Sequence, residues 1–148
     1  MKHNKSFDSG ERGTTLVELA IAMTVFLTAM FAVIEFGRAL WVHNALTDAA
    51  RRGARYAVMH KAIDIDDVKR VVVYGDPAGG TQTTVPNLTT DNVTVTYSNF
   101  ELNHGTTTVT ITGYQFQFVV PLIGTSITMP NYSTTLPAEC VGLIPDDI

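Results

Sequence analysis

Apolar residues form one long N-terminal block, followed by shorter runs that alternate with polar residues. The block covers residues 14–34 and contains a single charged residue, Glu18. As an α-helix rising about 1.5 Å per residue it would span roughly 31 Å, which matches the hydrocarbon core of a bilayer. The pattern therefore predicts a transmembrane helix over residues 14–36. A carboxylate inside such a helix usually faces a protein partner or a polar cavity.

Three residues after the apolar block predict its boundary with water: Glu35, Arg38 and Trp41. A long cationic side chain can reach the interface, and an indole ring prefers the headgroup level, so we expect a membrane-interface group here. A cleaved secretory signal is the competing interpretation. It fits poorly, because the apolar run is long and no obvious small-residue cleavage site follows it.

The helical pattern continues past this boundary. Residues at spacings of three and four predict a face that packs against another element: Leu46, Ala49, Gly53 and Tyr56. No proline interrupts residues 14–62, so residues 37–62 are predicted to extend the same helix out of the membrane. Small side chains on this face would allow a second helix or a sheet to approach closely.

Residues 63–148 are predicted to form a small β-rich head domain. Asp64 or Asp66 is expected to cap a short helix through residues 68–73. The YGDPAGG stretch that follows has the composition of a turn and loop. Beyond it the apolar period changes from helical to two, which is typical of strands that are buried on one face.

The first two strands are predicted around residues 93–97 and from Val109 onwards, joined as a hairpin. The apolar positions change phase at Gly113, where a β-bulge would keep the apolar side chains facing the core. After the phase change the aromatic residues lie at even positions: Tyr114, Phe116 and Phe118. Two strands joined by a hairpin loop run antiparallel, so we expect an antiparallel sheet.

A third strand is predicted over residues 126–136. Pro130 interrupts it, so it should be an edge or bulged strand. Threonine is abundant from residue 81 to 135, which suits a solvent-facing sheet surface. A chain of 148 residues has room for an anchor and one modest domain. We therefore expect an α+β fold, with a long transmembrane and amphipathic helix followed by a small antiparallel sheet.

Charge separates along the chain. Residues 38–61 are mainly basic, whereas residues 63–148 hold nine carboxylates and two cations, and no Lys or Arg follows Arg70. Phosphate recognition depends heavily on such cations, so we predict no nucleic-acid partner. The basic cluster at 51–55 is interpreted as a solvated or lipid-facing helix face, and membrane lipid is the partner expected of the anchor.

Residues typical of catalytic or metal sites do not form recognisable motifs. The four histidines are not spaced like metal ligands. Because Cys140 is the single cysteine, a zinc site with two cysteine ligands is excluded, and so is an internal disulfide. The carboxylates at 63–67 lack the glycine and alternating ligands of a calcium loop. We predict no enzyme, no metal and no cofactor, and leave the role of the lone thiol open.

The segment GERGTTLVELAIAM resembles the class III signal of type IV pilins and pseudopilins. This resemblance implies that prepilin peptidase cuts after Gly13, that residues 1–13 form a leader, and that Thr14 becomes the new N-terminus. It also implies that Glu18, the fifth mature residue, forms an assembly ion pair with the new amine of its own or a neighbouring subunit. The leader would then lie in the cytoplasm and the head outside.

The segments RGTTLVELAIAM, IEFGRALW and DAARRGARYAV resemble the TadE-like family of minor pseudopilins from the tight-adherence (Flp) pilus apparatus, and the distal pattern VTVTY, TVTITGYQFQFVVPLIG and a closing strand is similar to that family as well. The resemblance covers about residues 14–139 and implies a pilin-like fold in the bacterial inner membrane. The partners it implies are prepilin peptidase, other pilins or pseudopilins, and pilus assembly-platform proteins. Whether the subunit stays in the membrane or enters a filament is left open.

Two alternatives are kept. The first is a structural pilin that forms the filament itself. The second is a signal-anchored extracytoplasmic binding domain with no pilus role, which would use its threonine-rich sheet or the aromatic residues 114–118 to hold a ligand. Such a domain should keep its ligand affinity as a soluble fragment from about Ala62, whereas a pseudopilin should lose its role without residues 14–61.

Overall fold

A computed structural model of the chain describes residues 9–60, 65–98, 105–120 and 126–137. Two helices, α1 (Ser9–Met59) and α2 (Ile65–Tyr74), come first, and a 3-10 turn (Thr90–Asn92) precedes the strands. The strands are β1 (Val93–Ser98), β2 (Thr106–Ile111), β3 (Gln115–Gln117), β4 (Ser126–Thr128) and β5 (Tyr132–Pro137). The predicted α+β class, a long N-terminal helix before antiparallel strands, is confirmed. The chain divides into two compact units, Met1–Arg38 and Ala39–Ile148.

The first unit contains the N-terminal part of α1. Its large apolar side chains are exposed, and α1 is long and apolar enough to cross a membrane. The hydroxyls of Thr24 and Thr28 bond within the helix: Thr24 donates to the Ala20 carbonyl and Thr28 to the Thr24 carbonyl, each at 2.8 Å. A polar group that is satisfied inside its own helix can enter an apolar environment at a lower cost.

The second unit has a core built by the C-terminal part of α1, α2 and the sheets. Four valines of α2 are buried, Val68, Val71, Val72 and Val73, and the helix ends before Gly75, which adopts φ +80°. Asp66 lies inside the first turn of α2, where a carboxylate favours the helix dipole, so its predicted position as the cap before the helix is wrong. The other predicted cap, Asp64, lies outside the described residues.

Strands β1, β2 and β5 form an antiparallel sheet in the order β1-β2-β5. The register aligns Val93, Ile111 and Tyr132, all buried, across the three strands. Because successive side chains point to opposite faces, the intervening serines and threonines form the outer face. The predicted pairing of the first two strands is confirmed, while their connection lies outside the described residues.

The predicted β-bulge at Gly113 is wrong. Strand β2 ends at Ile111, and β3 pairs with β4 in a separate two-stranded sheet. Gly113 has φ +67°, which turns the chain out of the first sheet. Asn92 fastens the turn, since its carbonyl accepts from Thr112 N at 2.8 Å and its side-chain amide donates to the Thr112 carbonyl at 3.0 Å. The phase change therefore marks a change of sheet.

The predicted third strand over residues 126–136 is in fact two strands, β4 and β5, separated around Pro130. Proline lacks the N–H that a ladder needs, so pairing stops there. Met129 N instead donates to the Tyr114 carbonyl at 2.9 Å, just beyond the β3–β4 ladder. The edge position predicted for this segment holds for β5, which ends the order of the three-stranded sheet.

Candidate functional site

Gly13 and Thr14, the predicted processing site, lie within α1 and are exposed. A Cβ atom built on Gly13 meets nothing within 4 Å, and this glycine does not have a positive φ. Glycine costs about 1 kcal/mol relative to alanine inside a helix. The fold therefore requires no glycine at position 13, and a reason for it must be sought outside folding.

Glu18 lies one turn after Thr14 and is also exposed. Its carboxylate has no ion pair among the described residues. Residues four apart lie on the same helix face, so an amine at the start of residue 14 would be within reach of this carboxylate. The arrangement supplies an acceptor at the surface of an apolar helix segment.

The predicted interface residues differ in exposure. Glu35 is buried, with its side chain only 7% exposed, and Arg38 donates to its Oε2 atom from Nε at 3.2 Å and from Nη2 at 2.9 Å. Such a charge-assisted pair holds both side chains along the helix. Trp41 is 56% exposed. Glu35 is therefore a buried, paired acid, whereas Trp41 presents its indole outward.

The predicted packing face of α1 turns toward the core of the second unit. Leu46 and Ala49 are fully buried, Gly53 is buried and Tyr56 is half-buried. A Cβ atom on Gly53 would collide with Val72 Cγ2 and touch Val109 Cγ1 at 3.5 Å. The missing side chain thus lets α1 lie directly against α2 and β2.

One contact between α1 and β5 was missed by the sequence reasoning. His43 Nδ1 lies 2.9 Å from the Tyr132 hydroxyl, and the two rings meet edge to face with centroids 5.2 Å apart. The partners are far apart along the chain, and neither belongs to a motif. No local signal could have found this pair, which links the helix to the edge strand.

The outer face of the three-stranded sheet carries only hydroxyl side chains over most of its area. Across it, Thr108 Oγ1 lies 2.8 Å from Thr135 Oγ1, and Thr110 Oγ1 lies 3.1 Å from Ser133 Oγ. This hydroxyl face comprises Thr94, Thr96, Ser98, Thr106, Thr108, Thr110, Ser133 and Thr135. The aromatic residues Tyr114 and Phe116 are buried, so these two rings are not available to a ligand at the surface.

Burial raises the pKa of the phenols of Tyr97 and Tyr132 above the usual value of about 10. A raised pKa in the folded state favours the neutral phenol. Its stabilising contribution is fully present below the pKa of the unfolded chain and is lost as the pH rises through the higher folded value. We expect the free energy of unfolding of the second unit to fall above about pH 10.

Denaturant midpoints between pH 8 and 11 test this expectation. The Tyr97→Phe/Tyr132→Phe double variant should be less stable at neutral pH, yet lose less stability on the alkaline side. An equal alkaline loss in the variant and the native chain would assign the effect to other groups.

The described residues bring together no group of three or more His, Cys, Asp or Glu side chains that could hold a metal ion. The expectation that the chain is not an enzyme and takes no metal or cofactor stays a prediction. Cys140 lies outside the described residues. The chemistry that these residues do offer is recognition: an acceptor at Glu18, a packed helix face, and exposed charged and hydroxyl surfaces.

Among the described residues, one N-terminal helix that could span a membrane is consistent with a single-pass membrane protein with an α+β layout. The family model described as TadE-like protein matches residues 13–55. The predicted resemblance to the TadE-like family is therefore confirmed, and the matching residues all lie on α1. A TadE-like segment indicates a protein associated with a tight-adherence pilus. No curated protein and no solved structure matches the chain.

Proposed function

We propose that the chain is a minor pseudopilin, a structural and assembly component of a tight-adherence (Flp, type IVb-like) pilus apparatus. The observation that carries the proposal is the TadE-like match over residues 13–55, which coincides with one continuous helix bearing a lone carboxylate in its apolar segment. A subunit of this kind acts by position and contact, and we propose no catalytic role for it.

Maturation by prepilin peptidase between Gly13 and Thr14 belongs to the same proposal. What supports it is the absence of a folding reason for Gly13, whose Cβ position is open space. Cleavage by a peptidase would supply that reason if its active site must come close to the backbone at residue 13, since glycine has no side chain and permits close approach. The leader would lie in the cytoplasm, α1 would cross the inner membrane, and the β-rich head would lie outside.

Gly13→Val is expected to block removal of residues 1–13. The added side chain would lie at the bond that the peptidase must cut, and a loss of only about 1.4 kcal/mol in transition-state stabilisation slows cleavage about tenfold. The measurement is the N-terminal sequence and intact mass of the membrane form from cells with and without prepilin peptidase.

Gly37→Val is the matched control, because a Cβ at Gly37 also meets nothing within 4 Å on the same helix. We expect the control to be cut like the native chain, with Thr14 as the new N-terminus only when the peptidase is present. A start at Met1 in both strains would contradict the pseudopilin proposal.

A signal-anchored extracytoplasmic binding domain is the second candidate, and the uncharged hydroxyl face favours it. Its sheet positions are exposed or half-buried and could hydrogen-bond a neutral polar ligand. A soluble fragment from about Ala62 separates the candidates. Retained ligand binding by that fragment would favour the binding domain, whereas a pseudopilin should lose its role without residues 14–61.

A further inference from the structure

Strand β5 ends the three-stranded sheet, and one of its two edges has no hydrogen-bonded partner among the described residues. Its other edge pairs with β2 along its whole length. Strand β1, at the opposite end of the sheet, packs against α2, so the two ends of the sheet differ. The unpaired N–H and C=O groups of an edge strand can pair with another extended chain. We call the unpaired side of β5 the open edge.

The hydrogen-bond pattern of the sheet shows which backbone groups of β5 point to the open edge. Thr112 N donates to the Asn92 carbonyl at 2.8 Å, one residue pair beyond the β1–β2 ladder. Hydrogen-bonded and non-hydrogen-bonded pairs alternate in an antiparallel ladder, so the even-numbered residues of β2 bond β1. Ser133 and Thr135 lie opposite two of these residues, and their own N–H and C=O groups therefore point away from β2.

Two further observations agree with this assignment. Thr135 Oγ1 lies 2.8 Å from Thr108 Oγ1, and side chains approach most closely in non-hydrogen-bonded pairs. Pro137 lies opposite Thr106 in the same series of pairs, and a proline, which has no N–H, fits where the nitrogen points away from the partner strand. The open edge thus offers the N–H and C=O groups of Ser133 and Thr135 and the C=O group of Pro137.

The sequence of β5 does little to prevent pairing at the open edge. Natural edge strands are usually protected by charged side chains, by proline or by a bulge. Strand β5 carries no charged residue, its register with β2 is unbroken, and its proline is the last residue. On the inner face Thr134 and Leu136 are only half-buried, so part of their surface is still open to solvent. A neighbouring strand would bury that surface.

We propose that the open edge of β5 binds an extended, uncharged segment of another protein as a fourth strand. Only an extended backbone repeats N–H and C=O groups at the spacing of a strand. Side chains of the segment on the outer face would lie beside Ser133 and Thr135, where hydroxyls can hydrogen-bond, and those on the inner face would lie beside Thr134 and Leu136. The segment therefore alternates hydroxyl and apolar residues.

The inference goes beyond the proposed function, since the open edge is the same whether or not the leader is removed. A charged segment would fit less well, because neither β5 nor β2 carries a charged side chain that could pair with it. Specificity would then come from the alternation of residues and from main-chain hydrogen bonds.

A second copy of this chain is a poorer occupant of the open edge. Two β5 strands paired antiparallel would be related by a two-fold axis perpendicular to the sheet. The α1 helix lies along the inner face of this sheet, with Gly53 beside Val109 and His43 beside Tyr132. The same axis would reverse the direction of α1 in the second copy. Two chains inserted alike in one membrane could not pair in this way.

Binding of a fluorescein-labelled peptide to the full chain in a nonionic detergent tests the proposal. The probe is Thr-Val-Thr-Val-Thr followed by Gly-Lys-Lys for solubility, and the control peptide has proline in place of the central threonine. We expect saturable binding of the probe and at least about tenfold weaker binding of the control, which lacks a central N–H donor. By NMR, amide hydrogen exchange should slow at Ser133 and Thr135 when the probe binds, and change little at Thr134, whose N–H already bonds β2.

Thr135→Pro removes an N–H from the open edge without taking a hydrogen bond from the β2–β5 ladder. Proline is tolerated on an edge strand at such a position, so the variant should fold and bind the probe at least about tenfold more weakly. Thr135→Val is the matched control, which keeps the N–H and should bind like the native chain. Ser133→Pro is the second variant of the same kind, and far-UV circular dichroism establishes that each variant is folded.

Three results would overturn the proposal. These are no saturable binding of the probe, equal binding by the native chain and both proline variants, and slowed exchange only at amides outside β5. A native chain that sediments as a dimer without the probe, and as a monomer after Thr135→Pro, would overturn the assignment to another protein and give the open edge to a second copy. Leader removal from Thr135→Pro should match the native chain, so these results are independent of the test of the proposed function.

Discussion

Replacing Gly53 with valine is expected to lower the free energy of unfolding of the second unit by about 3 kcal/mol, at the upper end of the usual cost of overpacking a core. The first added carbon already collides with Val72 Cγ2. Val72 is fully buried on α2, and a β-branched side chain in a helix has one strongly preferred rotamer, so it cannot turn aside cheaply. Either α1 moves away from α2 or the core opens.

Denaturant unfolding of the full chain in mild detergent, with hydrogen exchange of β1 and β2 as the local readout, measures this loss. Gly37→Val is the matched control, because it makes the same change on the same helix where a Cβ meets nothing within 4 Å. Its effect should stay within a few tenths of a kcal/mol, set by helix propensity alone.

A second-site change separates the collision from any other effect of valine. Val72→Ala removes the colliding atom, so Gly53→Val/Val72→Ala should be more stable than the sum of the two single losses predicts. Simple addition of those losses, or a Gly53→Val chain as stable as the native one, would show that the close approach of α1 to α2 does not limit stability.

Glu18→Ala is expected to leave leader removal intact and to abolish incorporation into the pilus apparatus. An unpaired charge within the apolar segment of a transmembrane helix is costly, so such a residue usually faces a partner or a polar cavity. No ion pair compensates Glu18 within the described residues, and the proposed partner is the mature amine of its own or a neighbouring subunit. Breaking such a buried pair typically costs about 3 to 5 kcal/mol, enough to lose the register between subunits.

Co-purification of the tagged chain with other pilus components measures incorporation, and the intact mass measures leader removal. Glu18→Gln tests the charge with nearly the same volume and should also fail, whereas Glu18→Asp should retain part of the function. Thr24→Ala is the control within the apolar segment, since its hydroxyl bonds only the Ala20 carbonyl at 2.8 Å. Normal assembly of Glu18→Ala would refute the ion-pair hypothesis.

Several features could be predicted from local pattern alone. The continuous helix, the position of the first strand and the antiparallel pairing of the first two strands follow from periodicity and from the absence of proline up to residue 62. The candidate residues Gly13 and Glu18 came from a short motif in the same region. The helix and the strand pairing were predicted correctly because one stretch of neighbouring residues contains the whole signal, whereas the roles of Gly13 and Glu18 stay predictions.

The predictions failed where neighbouring residues serve different sheets. The phase change at Gly113 and the interruption at Pro130 were both visible, but each was interpreted as an irregularity within one strand. The hydrogen bonds of Asn92 to Thr112, and of Met129 to the Tyr114 carbonyl, show instead that the chain passes between two sheets there. A β-bulge and a change of sheet give the same local pattern of apolar and polar residues. They differ only in which distant strands the residues pair with.

The sequence by itself determined the apolar anchor, the order of helix before strands, and the separation of basic and acidic residues, because composition and period are properties of consecutive residues. Only the tertiary structure decided that Gly53 accommodates Val72 and that His43 meets Tyr132. The physical reason is that burial and contact depend on which distant segments the core brings together. The interaction free energy between two such segments belongs to the pair, so the sequence of either segment alone does not reveal it.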